Sequence, residues 1–148
     1  MFAASPVLDM AVMYSATWRN TYWKHLHVMA RRPDGRIRIV LPDPSGDSAL
    51  IETYAATIQA IPDDLRARIK SAITDFCSIE PQRHVEIYLT GKLFRHAVYM
   101  FADCAVVALY ALCGERIPTP ALSINNGDML SFLKVDFDRL VEQSNRIH

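Results

Sequence analysis

Two polar residues whose side chains could take part in a reaction, His96 and Asp103, lie seven residues apart in an apolar block that spans residues 84–112. An imidazole exchanges protons near neutral pH, and a carboxylate can orient it. Because buried polar groups need hydrogen-bond partners, the pair is either a structural contact or part of a site. Cys104 lies beside Asp103, but an apolar strand raises the pKa of a thiol, which argues against a Cys-His nucleophile. No Gly-x-Ser-x-Gly elbow occurs, so a Ser-His-Asp triad is not indicated.

Three other groups could form sites. His25 and His27 point to different faces of a helix and have no Cys, Asp or Glu nearby to complete a ligand set, so no metal site is predicted. Arg31, Arg32, Arg36 and Arg38 surround a turn and could grip phosphates. Asp34 lies among them, which favours a solvated turn and an edge strand instead. The third group, Trp18, Tyr22 and Trp23, could stack on bases, although helical spacing favours a core position, with Trp23 as a contact residue.

The elements that position these residues follow from the hydrophobic pattern. The block from 84 to 112 predicts three β-strands in succession, with a turn at Gly91-Lys92, and a buried helix remains the alternative for its second half. Earlier, a strand over 7–16, a helix over 17–32 and a strand over 36–42 are indicated. Two further helices begin near Asp47 and at Pro62, and after a short extended piece, ALSI, a last helix begins at Asp128. The order predicts an α/β fold, a mixed β-sheet flanked by helices, in a single domain over 1–148.

Composition limits the functional classes. The 148 residues include 16 basic and 16 acidic side chains, so no overall field attracts nucleic acid or anionic membranes, and direct contact with nucleic acid is not expected. Asp9 interrupts the apolar N-terminus and Asp103 the long apolar run, so neither a signal peptide nor a membrane span is predicted. The three cysteines lack a Cys-x-x-Cys spacing, which is typical of the reducing cytoplasm. The glycines form no phosphate-binding pattern, and no cofactor is predicted.

The frame H-A-V-Y-M-F-A-D at 96–103 resembles the His-x-Lys-x-x-x-x-Asp signature of the phospholipase D superfamily, and the order of elements resembles one half of that fold. In that family the histidine is the nucleophile, the lysine neutralises phosphate charge, and small single-motif members dimerise. This sequence has Val98 in the lysine position, and the Gly-Ser-x-Asn that usually follows the aspartate is absent. Because phosphoryl transfer depends on the missing cation, the resemblance implies a degenerate member, of the kind found in bacteria alone or attached to helix-turn-helix regulators.

The resemblance implies a cytoplasmic, non-enzymatic module that senses a ligand or mediates an interaction, with His96, Asp103, His84 and Lys92 contacting a phosphate-bearing or nucleotide ligand. One alternative is a homodimeric phosphodiesterase or nuclease with His96 as nucleophile and a cation from Lys92 or Arg95. Another is a purely structural subunit that binds a protein partner. A homodimer is expected from the resemblance and from the many apolar residues of a small chain.

Overall fold

The computed structural model describes residues 5–94, 96–110 and 120–148. Within these residues seven strands and four α-helices form, together with a single 3-10 turn at Gln82–His84. The strands are β1 Val7–Ala11, β2 Arg36–Pro42, β3 Val85–Thr90, β4 His96–Met100, β5 Ala105–Leu109, β6 Ala121–Ile124 and β7 Asn145–Arg146. The helices are α1 Ala16–Arg31, α2 Ser48–Thr57, α3 Pro62–Cys77 and α4 Asp128–Glu142.

The strands form one mixed sheet in the order β6-β5-β4-β1-β2-β3-β7. Strands β1, β2 and β3 pair in parallel, and all other neighbouring strands pair antiparallel. The predicted α/β fold with a mixed sheet and flanking helices is therefore confirmed. The expectation that residues 36–42 form an edge strand is wrong, because β2 lies between β1 and β3.

Alternation along the strands creates two apolar layers. One set of strand residues, including Met10 and Ile39, packs with residues of α1, α2 and α3. The alternate set, including Val40 and Val98, packs under α4. Because successive side chains of a strand point to opposite faces, α1 and α4 lie on opposite faces of the sheet.

Local sequence signals account for the starts of α2 and α3. Asp47 caps α2 by accepting a hydrogen bond from the backbone N–H of Ala49 at 2.9 Å. Pro62 begins α3, with two aspartates in the first turn.

The alternative of a buried helix in the second half of the apolar block is wrong for the residues that are described, since β4 and β5 form an antiparallel pair there. Residues 111–113 lie outside the described residues. Among the described residues no helix is both long and apolar enough to cross a bilayer.

Candidate nucleic-acid interface

The structure places His96 and Asp103 at opposite ends of β4. His96 is half-buried at the start of β4, whereas Asp103 is exposed in the turn that follows β4. Since a strand rises about 3.3 Å per residue, five residues of β4 already keep the imidazole and the carboxylate apart. The two residues therefore do not form a contact pair.

His84 and Lys92 lie at the two ends of β3, which is separated from β4 by β1 and β2. Neighbouring strands are about 4.8 Å apart, so neither residue is close to His96. The structure thus disperses the four residues predicted to share a ligand, and it does not bring them into one cavity. The two histidines of α1 are also apart, because the His25 ring contacts Tyr22 and the His27 ring contacts Trp23. No group of three potential metal ligands occurs in the described part of the chain.

The arginines of the predicted basic group have different environments. Arg38 is largely buried and donates two hydrogen bonds to the Asp9 carboxylate, at 2.7 and 2.6 Å. Its guanidinium also lies 2.9 Å from Asp138 of α4. The hydrogen bonds to Asp9, more than the opposing effect of burial, raise the pKa of Arg38 above its usual range. Arg36 pairs with Asp9 as well, at 3.3 Å.

The turn before β2 divides the remaining two arginines of that group. Arg32 donates a hydrogen bond to Asp34 at 3.2 Å, and this bond lowers the pKa of the aspartate. Arg31, the last residue of α1, is exposed and forms no ion pair with any carboxylate among the described residues. Of the four arginines, Arg31 is therefore the one whose charge is not balanced locally.

Helix α1 provides the elements of a basic surface. Its 16 residues include three basic side chains and no carboxylate. Lys24, Val28 and Arg31 follow helical spacing, so their side chains project from the same outer face. Lys24 and Arg31 are exposed cations, and Val28 between them is 63% exposed. Lys24 also lacks an ion pair with a described carboxylate.

A second segment adds a cation at the same end of α1. His84 Nδ1 lies 2.7 Å from the carbonyl oxygen of Ala30, which holds the 3-10 turn against the last turn of the helix. A carbonyl oxygen accepts hydrogen bonds, so Nδ1 carries the proton. His84 Nε2 then accepts a hydrogen bond from Nε of Arg83 at 3.2 Å. Lys24, Arg31 and Arg83 form what we call the basic surface.

The opposite face of the sheet has the opposite charge. Helix α4 carries four carboxylates, Asp128, Asp136, Asp138 and Glu142, and two basic side chains, Lys134 and Arg139. The zero net charge of the chain therefore includes a net positive helix α1 and a net negative helix α4. Sequence reasoning missed the basic surface because it summed charge over the whole molecule; counting carboxylates helix by helix identifies α1 at once.

The aromatic residues of α1 do not extend the basic surface. Trp18 stacks on Tyr99 with ring centroids 4.5 Å apart, and Tyr22 packs against Trp18 at 5.2 Å. Trp23, which was expected to be a contact residue, is half-buried, and it lies against the core and the ring of His27. The three rings therefore belong to the interior side of the helix.

This chain is similar in fold to known proteins. No protein-family model matches the sequence, and no curated protein matches it either. A solved structure of TrmBL2, described as an archaeal chromatin protein with a novel mode of DNA binding, is similar in fold, with a TM-score of 0.62 at 12% sequence identity. The match covers 99% of this chain and 47% of the TrmBL2 chain, so this chain spans about half the length of that protein.

This comparison corrects several expectations. The assignment to the phospholipase D superfamily is wrong: the similar structure is a DNA-binding chromatin protein, and the two matching residues of the signature lie at opposite ends of β4. The function expected from it, a ligand-sensing or interaction module on that scaffold with a phosphodiesterase as alternative, is wrong with it. The expectation that direct contact with nucleic acid is absent is also wrong, since it depended on net charge and the similar protein binds DNA.

Proposed function

We propose that this chain binds double-stranded DNA through its sugar-phosphate backbone, using the basic surface formed by Lys24, Arg31 and Arg83. The observation that carries the proposal is the concentration of unpaired cations on the outer face of a helix that has no carboxylate. Cations that lack a local partner can neutralise phosphates and release the counterions condensed on DNA. The fold similarity to a DNA-binding chromatin protein supports the same class of ligand.

The spacing of the cations fits a duplex. Lys24 and Arg31 are seven residues apart on α1, which corresponds to about 10 Å along the helix axis. The major groove of B-form DNA is about 12 Å wide, so the two side chains can reach phosphates on both strands that border it. Val28, exposed between them, would face sugar or groove atoms.

The burial of the aromatic rings distinguishes a duplex from a single strand. Proteins that bind single strands combine a basic groove with exposed aromatic rings on which bases stack. Here Trp18, Tyr22 and Trp23 are all half-buried, and Trp18 and Trp23 pack against the core. The basic surface therefore offers charge without a stacking platform, which favours the regular phosphate array of a duplex.

The cytoplasmic location expected from the cysteines accords with this role. Cys77 and Cys104 are free thiols, and such thiols persist in a reducing compartment. A cytoplasmic protein of a cell without a nucleus also has direct access to chromosomal DNA.

Fluorescence anisotropy with a labelled duplex tests the proposal. The double variant Lys24→Gln, Arg31→Gln is expected to bind about tenfold or more weakly than the unmodified chain, because two charge-assisted contacts are lost. The matched control, Lys92→Gln with Arg146→Gln, removes the same two residue types from surfaces away from α1 and should bind like the unmodified chain. Equal losses in both variants would mean that net charge alone is responsible. Absence of duplex binding at low salt would overturn the proposal.

The same assay with the two separated strands of the duplex tests the preferred form. We expect the duplex to bind at least about tenfold more tightly than either strand at equal salt. Equal affinity would keep nucleic-acid binding but contradict the duplex preference.

A further inference from the structure

A cavity lies where the chain leaves β1 and enters α1. Its volume is about 410 Å³, within the range of about 300–1,000 Å³ that small-molecule sites occupy. Residues 12–18 form one side of the cavity, and the end of α2 together with residues of β4, β5 and Tyr110 forms the other. None of the residues that the sequence suggested for a phosphate site lines it, namely His84, Lys92, His96 and Asp103.

The cavity lies at the point where the order of the strands reverses. From β1 the chain continues to β2 and β3 on one side, and it then returns to β4 on the other side of β1. Met13 follows the carboxyl end of β1, and Ala97 lies near the start of the antiparallel strand β4, so both residues line the crevice between these strands. In open α/β sheets, ligands bind outside the carboxyl ends of the strands at such a reversal.

Aromatic rings form much of the lining of the cavity. The rings of Trp18 and Tyr99 stack with their centroids 4.5 Å apart, and both residues line the cavity. Tyr14 and Tyr110 line it as well. Because aromatic rings pack well against one another in offset or edge-to-face geometry, the apolar part of a fitting ligand is a planar ring.

Two hydroxyl hydrogens at the cavity have no acceptor in the described part of the chain. Tyr110 accepts a hydrogen bond from the Met13 N–H at 3.2 Å, and its own O–H finds no described acceptor. The hydroxyls of Ser15 and Tyr99 lie 2.7 Å apart, so one donates to the other and the second keeps its hydrogen. Burial raises the pKa of both phenols, so both remain donors. The polar part of a fitting ligand is therefore an acceptor.

The start of α1 adds backbone donors to the same cavity. Ser15 precedes the helix without capping it through its side chain, and no acidic residue lies in the first turn. The N–H groups of Ala16 and Thr17, which line the cavity, therefore have no intrahelical acceptor and lie at the positive end of the helix dipole. These groups favour an acceptor that carries negative charge.

Two arginines make the surroundings of the cavity positive. Arg19 and Arg68 line an adjoining cavity that shares Tyr14 and the first residues of α1 with it, and the described lining of the two cavities contains no carboxylate. Arg68 donates a hydrogen bond to the Tyr14 hydroxyl at 3.3 Å. Arg19 is 5% exposed and pairs with Asp75 at 3.0 Å, yet its Nε is buried without a hydrogen-bond partner among the described residues. A buried donor that lacks a partner is costly, so its presence here indicates a site built for an anion.

We propose that this cavity binds a small aromatic carboxylate, with its ring against Trp18, Tyr99 and Tyr110 and its carboxylate at the first turn of α1. A carboxylate supplies the acceptors that the hydroxyl and N–H groups lack, whereas an amine would bring one more donor to them. The inference does not depend on the proposed function, because the cavity lies at the first turn of α1 and Arg31 ends that helix.

Isothermal titration calorimetry with benzoate tests the proposal. Benzoate is expected to bind saturably, and benzyl alcohol, which has the ring without the charge, is expected to bind at least about tenfold more weakly. Inorganic phosphate, which has charge without the ring, should not displace benzoate. Absence of saturable binding up to about 10 mM benzoate would overturn the site. Equal affinity for the alcohol, or displacement by phosphate, would overturn the aromatic carboxylate as its ligand.

Thr17→Asp separates loss of the ligand from loss of the fold. Thr17 is exposed, and an acidic residue in the first turn stabilises a helix, so the variant should melt no lower than the unmodified chain. It should bind benzoate at least about tenfold more weakly, because the two carboxylates repel each other. Thr53→Asp is the matched control, since Thr53 is exposed on α2 and does not line the cavity. Equal benzoate affinity in the two variants would place the benzoate elsewhere and overturn the proposal.

Tyr110→Phe tests the hydroxyl donor, because it keeps the ring and removes the O–H group. The affinity for benzoate is expected to fall about tenfold, since a hydrogen bond to a charged group is lost. Tyr54→Phe is the matched control, because the Tyr54 hydroxyl also accepts a backbone N–H, from Phe94 at 2.8 Å, and Tyr54 does not line the cavity. It should bind benzoate like the unmodified chain. Equal losses in both variants would overturn the assignment of Tyr110 as a ligand donor.

Discussion

Arg38 of β2 and Asp9 of β1 face each other across the parallel pair and are joined by two hydrogen bonds, at 2.7 and 2.6 Å. Both side chains project toward α4, where Asp138 approaches the same guanidinium at 2.9 Å and the ring of Phe137 lies 5.1 Å below it. This ion pair attaches α4 to the sheet. It also occupies Arg38 fully, which removes the arginine from any role in contacting phosphates.

Replacing Asp9 by leucine is expected to destabilise the fold by about 3 kcal/mol, because the largely buried guanidinium of Arg38 loses its bidentate partner. The double variant Asp9→Leu, Arg38→Met should recover much of that loss, since an apolar pair of similar volume requires no buried charge. Urea denaturation followed by circular dichroism measures both. If the double variant is as unstable as the single one, the pair is not the source of the effect.

The slope of duplex affinity against salt concentration measures the number of phosphates that the protein neutralises. Three contacts from the basic surface predict a slope of about −3 in a plot of log K against log salt. Arg31→Gln should make the slope less steep by about 0.9, whereas Arg36→Gln should leave it unchanged, because Asp9 already neutralises Arg36. Anisotropy titrations at several salt concentrations give the slopes. Equal changes in the two variants would show that the basic surface extends around the turn.

Under the proposed function, His84 positions Arg83 and does not contact DNA itself. His84→Ala removes the hydrogen bond to the Ala30 carbonyl and the acceptor for Arg83. We expect a loss of about 1 kcal/mol in folding free energy, together with a weaker affinity for the duplex at unchanged salt slope. His96→Ala is the matched control, since it alters a histidine of β4, three strands away from β3, and it should leave the affinity unchanged. A larger loss of affinity from His96→Ala would mean that the duplex contacts the β4 side of the protein and not the basic surface.

The sequence predicted the positions of the strands more accurately than the pairing of the charged side chains. The alternation in RIRIVLP and the apolar pairs of β4 and β5 are local signals, and β2, β4 and β5 lie where these signals indicated. The position of β2 inside the sheet depends on partners distant in sequence, so the pattern of Arg36 and Arg38 suggested an edge strand. Their ion pair with Asp9 was equally hidden, because 27 and 29 residues separate these arginines from the aspartate.

The two-residue strand β7 and the basic surface were missed for different reasons. Asn145–Arg146 is too short to leave a periodic signal, and its pairing with β3 comes from tertiary contact. Arg83 joins Lys24 and Arg31 through the fold, by way of the hydrogen bond from His84 to Ala30. His96 and Asp103 were overvalued, since a two-residue pattern in an apolar block carries little information about their distance in space.

Tyr54 makes the stability of the fold sensitive to alkaline pH. Burial raises the pKa of its phenol to about 12, although the phenol oxygen accepts a hydrogen bond from the backbone N–H of Phe94 at 2.8 Å. The folded state therefore favours the neutral phenol more than the unfolded state does. The resulting stability is complete below about pH 10 and is lost as the pH rises toward about 12, a total of about 3 kcal/mol.

Tyr54→Phe isolates this contribution, because it keeps the ring in the core and removes the ionisable group. The variant is expected to be less stable near neutral pH by about 1 kcal/mol, since the Phe94 N–H loses its acceptor. Its stability should then decline less steeply between about pH 10 and about pH 12. The remaining decline comes in part from Tyr99 and Tyr110, whose pKa values burial also raises. Denaturant unfolding across this range measures the two curves, and parallel curves would mean that Tyr54 ionises alike in the folded and unfolded states.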